Sequence, residues 1–461
     1  MLILFLSSTA FAQTSFFTVW PGHPDFSPLP PSNIPGVEVE YPITVNLRSL
    51  VLNSSTRQRY SLRLANGSTQ VFELKAFDGM SGFIPLGNSD IQPDPNVPDS
   101  ALSYSWYGMS GNETFYVAVR GGRISATLIG KTKNYSITKS RGTLVFRRFN
   151  PRLVPNDGRI MGHPSGTPRH IVESTSSPKF LDFIDVLVLH TPAALAALNG
   201  DEAQLDVIVE EAIGQSNQTI SNSGITSFKM RNASNGVHMS TLINYNEAPT
   251  PPAACVSGPG FCRWVGHRIF ARTNSTVQSL RNSRGADLVV MVVADQFDVT
   301  GVAYVQRPNC GVQAGLENTP GCSVGLGYNN FAVAVVSLPY ITSFQVFAHE
   351  TGHQLGMEHD FVDGASTATP SFPWSFGWYV NGVNETVMSI AGSDGLCSSC
   401  PRALHYSNPN IPFLNSSVPS GTNSAWNART GAALAPGVSE FRNPVLNGLL
   451  FRTGFESLPI P

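Results

Sequence analysis

Charge is scarce in this chain. Asp, Glu, Lys and Arg make up 13% of 461 residues, about half the usual share, and 29 basic against 31 acidic residues leave a net charge of -2. No basic stripe stands out, which sets aside nucleic acid and an anionic membrane surface as partners. Long apolar runs are missing too. The longest interior stretches, Leu288 to Ala294 and Phe331 to Val336, fall far short of the roughly 20 residues a spanning helix needs, so no membrane span is expected. Glycine and proline, 41 and 34 residues, follow no Gly-X-Y period, which removes a collagen-like architecture and implies many turns. Cysteine is absent before Cys255, and lysine is absent after Lys229. What remains is an apolar fraction of 41%, enough for a sizeable core in two or three domains of roughly 100 to 200 residues each.

The N-terminus pairs a short apolar run, Leu2 to Leu6, with Ala10-Phe11-Ala12, a small-residue cleavage pattern. Residues 1–12 therefore read as a secretory signal peptide and the protein as secreted, although no Lys or Arg precedes the run. The six cysteines agree with export, being even in number and closely spaced: Cys255, Cys262, Cys310, Cys322, Cys397 and Cys400. Disulfides are the leading reading, and the local pairs Cys255 with Cys262, Cys310 with Cys322 and Cys397 with Cys400 close the shortest loops. Cys397-Ser-Ser-Cys400 could alone be a redox pair or half a zinc knuckle, but no second CxxC and no thioredoxin-like context accompany it.

Four regions follow the signal. Residues 13–150 alternate short β-rich runs with turn signals: Val39 to Leu47, Arg59 to Leu64, Gln70 to Leu74, Phe115 to Val119, Ile124 to Ile129 and Leu144 to Phe149, broken by Asn66-Gly67 and Gly121-Gly122. They predict a small all-β module without a cluster that could perform chemistry. Residues 151–179, rich in Pro, Gly, Ser and Thr, predict an exposed linker. Residues 180–443 change pattern. An apolar strand at Phe183 to Leu189 is followed by a helix from about Asp201 to Ser223, with Leu205, Ile208, Val209, Ala212 and Ile220 on one face and Gly224 as its stop, and by a second apolar strand at Leu288 to Ala294. Residues 444–461 are a tail, in which Leu450 to Glu456 resembles a short terminal motif of exported bacterial proteins.

One segment carries chemistry: His349-Glu350-Thr351-Gly352-His353-Gln354-Leu355-Gly356-Met357-Glu358-His359-Asp360. It fits HExxHxxGxxH, a pattern expected by chance on the order of 10⁻⁵ times in a chain of this composition. On a helix, His349 and His353 are four apart and project from one face, close enough for both imidazoles to reach one Zn²⁺. Glu350 can sit beside the metal without binding it and act as general base. Gly356 lets the chain leave the helix through a left-handed turn that returns His359 as third ligand, leaving one position open for water. Thr342 or Ser343 is the expected N-cap, with Thr342-x-x-Gln345 as a capping box, and Phe344, Phe347 and Leu355 should anchor the other face in the core. The remaining histidines, His23, His163, His170, His190, His238, His267 and His405, read as loop or packing residues.

The extended motif resembles that of metzincin metallopeptidases, and Asp360 after the third histidine is similar to the reprolysin (adamalysin) branch. Thr300 to Val305, Cys310, then Cys322 to Leu326 look like that family's edge strand, cysteine and following strand. Thr386-Val387-Met388-Ser389 resembles its Met-turn, with Met388 a hydrophobic floor that is no ligand. Ile390 stands where two metzincin branches carry a tyrosine ligand. Cys400 to Pro409 and Asn427-Ala428-Arg429-Thr430 resemble bacterial peptidyl-aspartate metalloendopeptidases and their reprolysin-like relatives.

The resemblance implies an α+β fold: a metzincin-type catalytic domain with a mixed twisted sheet, a long zinc-binding helix and a Met-turn, preceded by a small all-β propeptide-like module. Having no cysteine, that module cannot supply a thiol-to-zinc latency switch. The implied function is a secreted, monomeric zymogen of a zinc endopeptidase that hydrolyses peptide bonds through a zinc-activated water with Glu350 as base. Its substrates would be proteins or peptides, with a preference for bonds before acidic residues. In metzincins the relevant pocket wall follows the Met-turn, where the available cations are Arg402, the first choice, and Arg429. A non-catalytic binding protein on the same scaffold and a zinc amidase acting on a non-protein amide are the alternatives.

Overall fold

The computed structural model describes residues 27–47, 58–64, 68–76, 103–155 and 182–443, with isolated positions nearer the N-terminus and at 98. Within these spans, 112, 131–132, 234–236, 249–258, 296–297, 307–327, 362–369, 391–396 and 398–399 are outside the description. The signal peptide, the Asn66-Gly67 turn, most of the linker, the tail, and Cys255, Cys310 and Cys322 therefore lie outside the described residues, as do His23, His163 and His170.

The first unit is a sheet built from β1 (Thr14–Ser15), β3 (Val37–Pro42), β5 (Gln58–Arg63), β6 (Thr69–Ala76), β7 (Ser103–Ser110), β8 (Glu113–Arg120), β9 (Arg123–Ile129), β10 (Asn134–Ser140) and β11 (Thr143–Phe149), while β2 (Phe17–Val19) and β4 (Thr44–Val45) form a separate small ladder. The nine strands run β1-β5-β6-β7-β8-β9-β10-β11-β3, antiparallel except for β1 on β5. Gly121 and Gly122, at φ 57° and 75°, make the two-residue hairpin turn whose left-handed conformation suits the twist of β8 and β9. Besides the short β1 and β2, two strands were not anticipated, β7 and β10. β7 is rich in Ser and β10 in Ser, Asn and Thr, and here both are held by a neighbour on each side. The period of two decides which way β8 faces. Phe115, Val117 and Val119 enter the module's own core with Phe72, Ile124 and Phe146, whereas Tyr116 and Ala118 point the other way and meet Val207 of the second unit.

That unit comprises β12 (Asp182–His190), α1 (Pro192–Ala197), α2 (Glu202–Asn222), β13 (Phe228–Asn232), β14 (Thr241–Leu242), α3 (Pro259–Thr273), α4 (Ser275–Arg284), β15 (Leu288–Val293), β16 (Gly301–Ala303), β17 (Val333–Ser337), α5 (Val346–Gln354), β18 (Tyr379–Val380), β19 (Asn384–Glu385) and α6 (Asn427–Val438). Its main sheet is ordered β13-β12-β15-β17-β16, with β14 also on β12; all pairings are parallel except β16, antiparallel at the edge beside β17. Helices and a mixed sheet give the α+β class. All six residues of β15 are buried, as a strand covered on both faces requires. The Asp201 side chain caps α2 through the Gln204 amide, and Gly224 ends it at φ 74° with Ile225 N–H bonded back to the Ile220 carbonyl. Among the described residues no helix is long and apolar enough to cross a membrane.

The motif helix departs from expectation at its start. α5 spans only nine residues and begins at Val346, so it is short rather than long, and the Thr342-to-Gln345 capping box does not form. Gln345 itself occupies the N-cap position in a left-handed conformation, φ 53°, and its side-chain amide donates to the Thr342 carbonyl. Ser343 Oγ donates backward to Pro339. Phe344, Phe347 and Leu355 are buried in the main core, as amphipathic spacing requires.

Candidate metal centre

His349, His353 and His359 converge, and all three are buried. Their Nε2 atoms lie 2.9 Å (349 to 359), 3.1 Å (349 to 353) and 3.1 Å (353 to 359) apart. The other face of two rings fixes their tautomer: His349 Nδ1 donates to the Val387 carbonyl at 2.8 Å and His353 Nδ1 to the Met357 carbonyl at 2.8 Å. With Nδ1 carrying the proton, Nε2 presents a lone pair. Lone pairs brought this close in a dry site repel unless a cation accepts them, and three nitrogens bonded tetrahedrally at about 2.0 to 2.1 Å would stand roughly 3.3 Å apart. The donor set therefore fits a single metal ion such as Zn²⁺.

Glycines make the fit possible. Gly356 is left-handed at φ 79°; Gly356 N–H bonds to the His353 carbonyl and Met357 N–H to the Gly352 carbonyl, a helix-ending pair of bonds that turns the chain toward His359. A Cβ on Gly352, in the turn between His349 and His353, would lie 2.5 Å from Met388 Sδ, and a Cβ on Gly377 would lie 2.9 Å from the Met388 backbone. Met388 is fully buried and packs directly against the helix turn that carries both histidines. At the edge strand, a Cβ on Gly301 would lie 2.6 Å from a Glu350 carboxylate oxygen, so Glu350, itself buried, occupies space that only glycine leaves open. Neither Gly301 nor Gly352 was singled out from the sequence.

Asp360 accepts from Ser389 Oγ at 2.6 Å and from Ile390 N–H at 3.0 Å, which ties the residue after His359 to the loop carrying Met388. The two flanking motif pieces meet each other behind the site. Asn427 N–H donates to Ser407 Oγ at 2.8 Å and Ala428 N–H to the Ser407 carbonyl. The Asn427 amide then bonds both ways to Glu358, next to the third histidine, donating at 2.9 Å and accepting at 3.3 Å. Tyr406 Oη reaches the Ala348 carbonyl at 2.9 Å. Cys397 and Cys400 form a disulfide, and Cys262 is also disulfide-bonded.

The two arginines diverge. Arg402 was expected in a substrate pocket, and its contacts correct that expectation: Nε faces Glu385 at 3.3 Å, Nη1 donates to the Phe344 carbonyl at 3.0 Å and Nη2 to the Ser389 carbonyl at 2.9 Å. It is an internal brace between the approach to α5 and the Met388 loop. Arg429 is half-buried, with its guanidinium 3.9 Å over the Trp374 ring and 5.3 Å from that of Trp426, a cation–π arrangement two residues along α6 from Asn427.

The other described histidines stand apart from the cluster: His190 beside Ser240, His238 beside Asp206, His267 between Tyr245 and Asp295. His405 is buried against Phe413, and burial alone pushes its pKa down to about 4.

A reprolysin-type family model, described as metallo-peptidase family M12, matches residues 182–397. Among curated proteins the chain is similar to the peptidyl-Asp metalloendopeptidase of Pseudomonas aeruginosa, 26% identical over 237 residues that cover 50% of this chain and 35% of that protein. It is likewise 26% identical to the peptidyl-Asp metalloendopeptidase of Xanthomonas campestris over 294 residues, 63% of this chain and 56% of that one. The protein of that name from Stenotrophomonas maltophilia is 24% identical over 236 residues, 50% and 46% of the two chains. The matched part thus spans about half or less of these relatives.

Proposed function

We propose that this protein, whose residues 182–397 match a reprolysin-type model of metallo-peptidase family M12, is a secreted zinc endopeptidase whose β module is a propeptide. One observation supports the reading above others: three imidazole nitrogens converge within about 3 Å, with Glu350 next to the first of them and buried against a glycine strand. His349, His353 and His359 would hold the zinc, which when bound supplies a Lewis acid for the scissile carbonyl. Glu350 takes a proton from the attacking water on a carboxylate oxygen and returns it to the leaving amine. Met388 and Asp360 keep the third histidine and the helix in register, in the place the family gives its Met-turn.

The names of the relatives support a preference for bonds before acidic residues. With Arg402 turned inward, Arg429 is the cation to carry it, stacked on Trp374 and tethered through α6 to the loop of His359. Arg429→Ala should lower cleavage before Asp by roughly 10- to 200-fold and spare cleavage before Leu or Phe. The test of the function is mass spectrometry of peptides released from a protein mixture by the full chain with and without a zinc chelator. Zinc-dependent peptides are expected. No cleavage by zinc-loaded protein would favour a binding protein or an amidase.

A further inference from the structure

The β module and the second unit meet over a surface that is matched group by group. Gly214 lies in the middle of α2, where glycine costs about 1 kcal/mol relative to alanine. Its place is explained across the interface: a Cβ there would collide with the Tyr116 hydroxyl and lie 2.8 Å from Tyr116 Cζ. Tyr116, from β8, is fully buried over that gap. Around it the charges pair. Arg120 meets Glu210 at 3.0 Å, and Arg123 and Lys139 converge on Asp201 at 3.0 and 2.7 Å. Ser125 Oγ donates to Glu211, and Gln204 Nε2 donates to the Ile124 carbonyl at 2.9 Å.

A second seat lies on the segment that leads into α5. Asn134 Nδ2 donates to the Ser343 carbonyl at 2.9 Å and Tyr340 Oη to the Pro35 carbonyl at 2.9 Å. Phe149 packs edge-on against Phe344 with ring centroids 5.4 Å apart, and both belong to the main core of the second unit. Departure of the module would expose Phe344 and leave Glu210, Glu211 and Gln204 without these partners. It would also free one side of the chain just before the left-handed Gln345. A surface apolar at the seat and ringed by satisfied polar groups has the anatomy of a specific interface.

We infer that residues 27–155 remain bound to the second unit as a non-covalent subunit after the connecting segment 156–181 is cut, seated on α2 through Tyr116 over Gly214 and on the 340–345 segment through Asn134. This goes beyond the peptidase reading and does not depend on it, since the contacts would hold whether or not the metal site is active.

The test uses the full chain carrying Glu350→Gln, so that self-digestion is avoided, with a recognition sequence for a specific protease placed at 160–170. After complete cutting, the two pieces should co-elute at the volume of the intact chain on gel filtration at low micromolar concentration, in both 0.15 M and 1 M salt, conditions of about 8 Å and 3 Å screening length. Two separate peaks would overturn the inference. In the same protein Gly214→Val should separate the pieces or weaken their association by roughly 100-fold or more, because Tyr116 can no longer seat. Should that variant misfold, Arg123→Ala with Lys139→Ala alters only partly exposed module side chains, and should weaken association roughly tenfold. Wild-type association in the double variant would show that the seat is not the one assigned.

Discussion

Two helices of the second unit are buried almost throughout, and they bury polar side chains for opposite reasons. In α2, Gln204, Glu210 and Glu211 are covered by another module, and each meets a partner there: a carbonyl, an arginine and a serine. In α5, His349 and His353 are covered by their own domain, and their Nε2 atoms converge with that of His359. Matched burial marks a surface that another part of the protein fills. Like acceptor nitrogens converging on one point mark a place for a ligand. Burial alone would have ranked the two helices together.

Removing one of the converging groups is the most severe way to test the α5 half of that contrast. His353→Ala or His359→Ala deletes one of three ligands and should drop zinc content, read by elemental analysis, to background together with all activity. Full zinc in either variant would contradict the ligand set. Glu350→Gln separates binding from chemistry: zinc stays at one per chain while turnover on casein falls by roughly 10²- to 10⁴-fold. Normal turnover would remove Glu350 from its role.

The α2 half is probed by pH. Burial pushes the Glu211 carboxyl up to about 7, only partly opposed by hydrogen bonds from Ser125, Thr127, Thr342 and Gln215. Its folded pKa is above the ordinary 4.5, so the folded protein holds the extra proton between those values, and the associated stability is present below 4.5 and lost as pH rises through about 7. Glu211→Gln removes that loss. The variant should gain on the wild type from pH 5 to pH 8 by roughly 2 kcal/mol, read from unfolding midpoints; a constant difference would show that the carboxyl is charged throughout. The smallest effect is expected at Gly352. Its Cβ contact is with a flexible thioether, so Gly352→Ala should cost about 1 kcal/mol of stability and weaken zinc affinity, measured by chelator competition. An unchanged midpoint and affinity would mean that Met388 moves aside freely.

The candidate ligands His349 and His353 were legible because a helical repeat places residues four apart on one face whatever the surrounding fold. The strands of the second unit were legible for a similar local reason, in their continuous apolar runs. The start of α5 was not. Local sequence favours a capping box at Thr342, but the backbone there is held by distant groups: Asn134 on the Ser343 carbonyl and Arg402 on that of Phe344. Arg402 and Arg429 looked equivalent in sequence, two cations after the same loop. They differ because one lies within reach of two carbonyls and Glu385 while the other faces an indole. In the first unit, β8 is buried on both sides; its continuous apolar run from Phe115 to Val119 is consistent with two covered faces, but it does not say that α2 is what covers the second.

The two-way bond between Asn427 and Glu358 sets a practical limit on how the chain can be shortened. The stretch matched by the family model stops at 397, and a recombinant fragment ending there would omit the asparagine that grips the residue before His359, the Ser407 that receives it, and Leu434, which closes over Gly356. A minimal expression unit therefore has to extend through the end of α6 to about Phe441, whose ring packs against Tyr328, or the third histidine loses the anchoring that sets its distance from the other two.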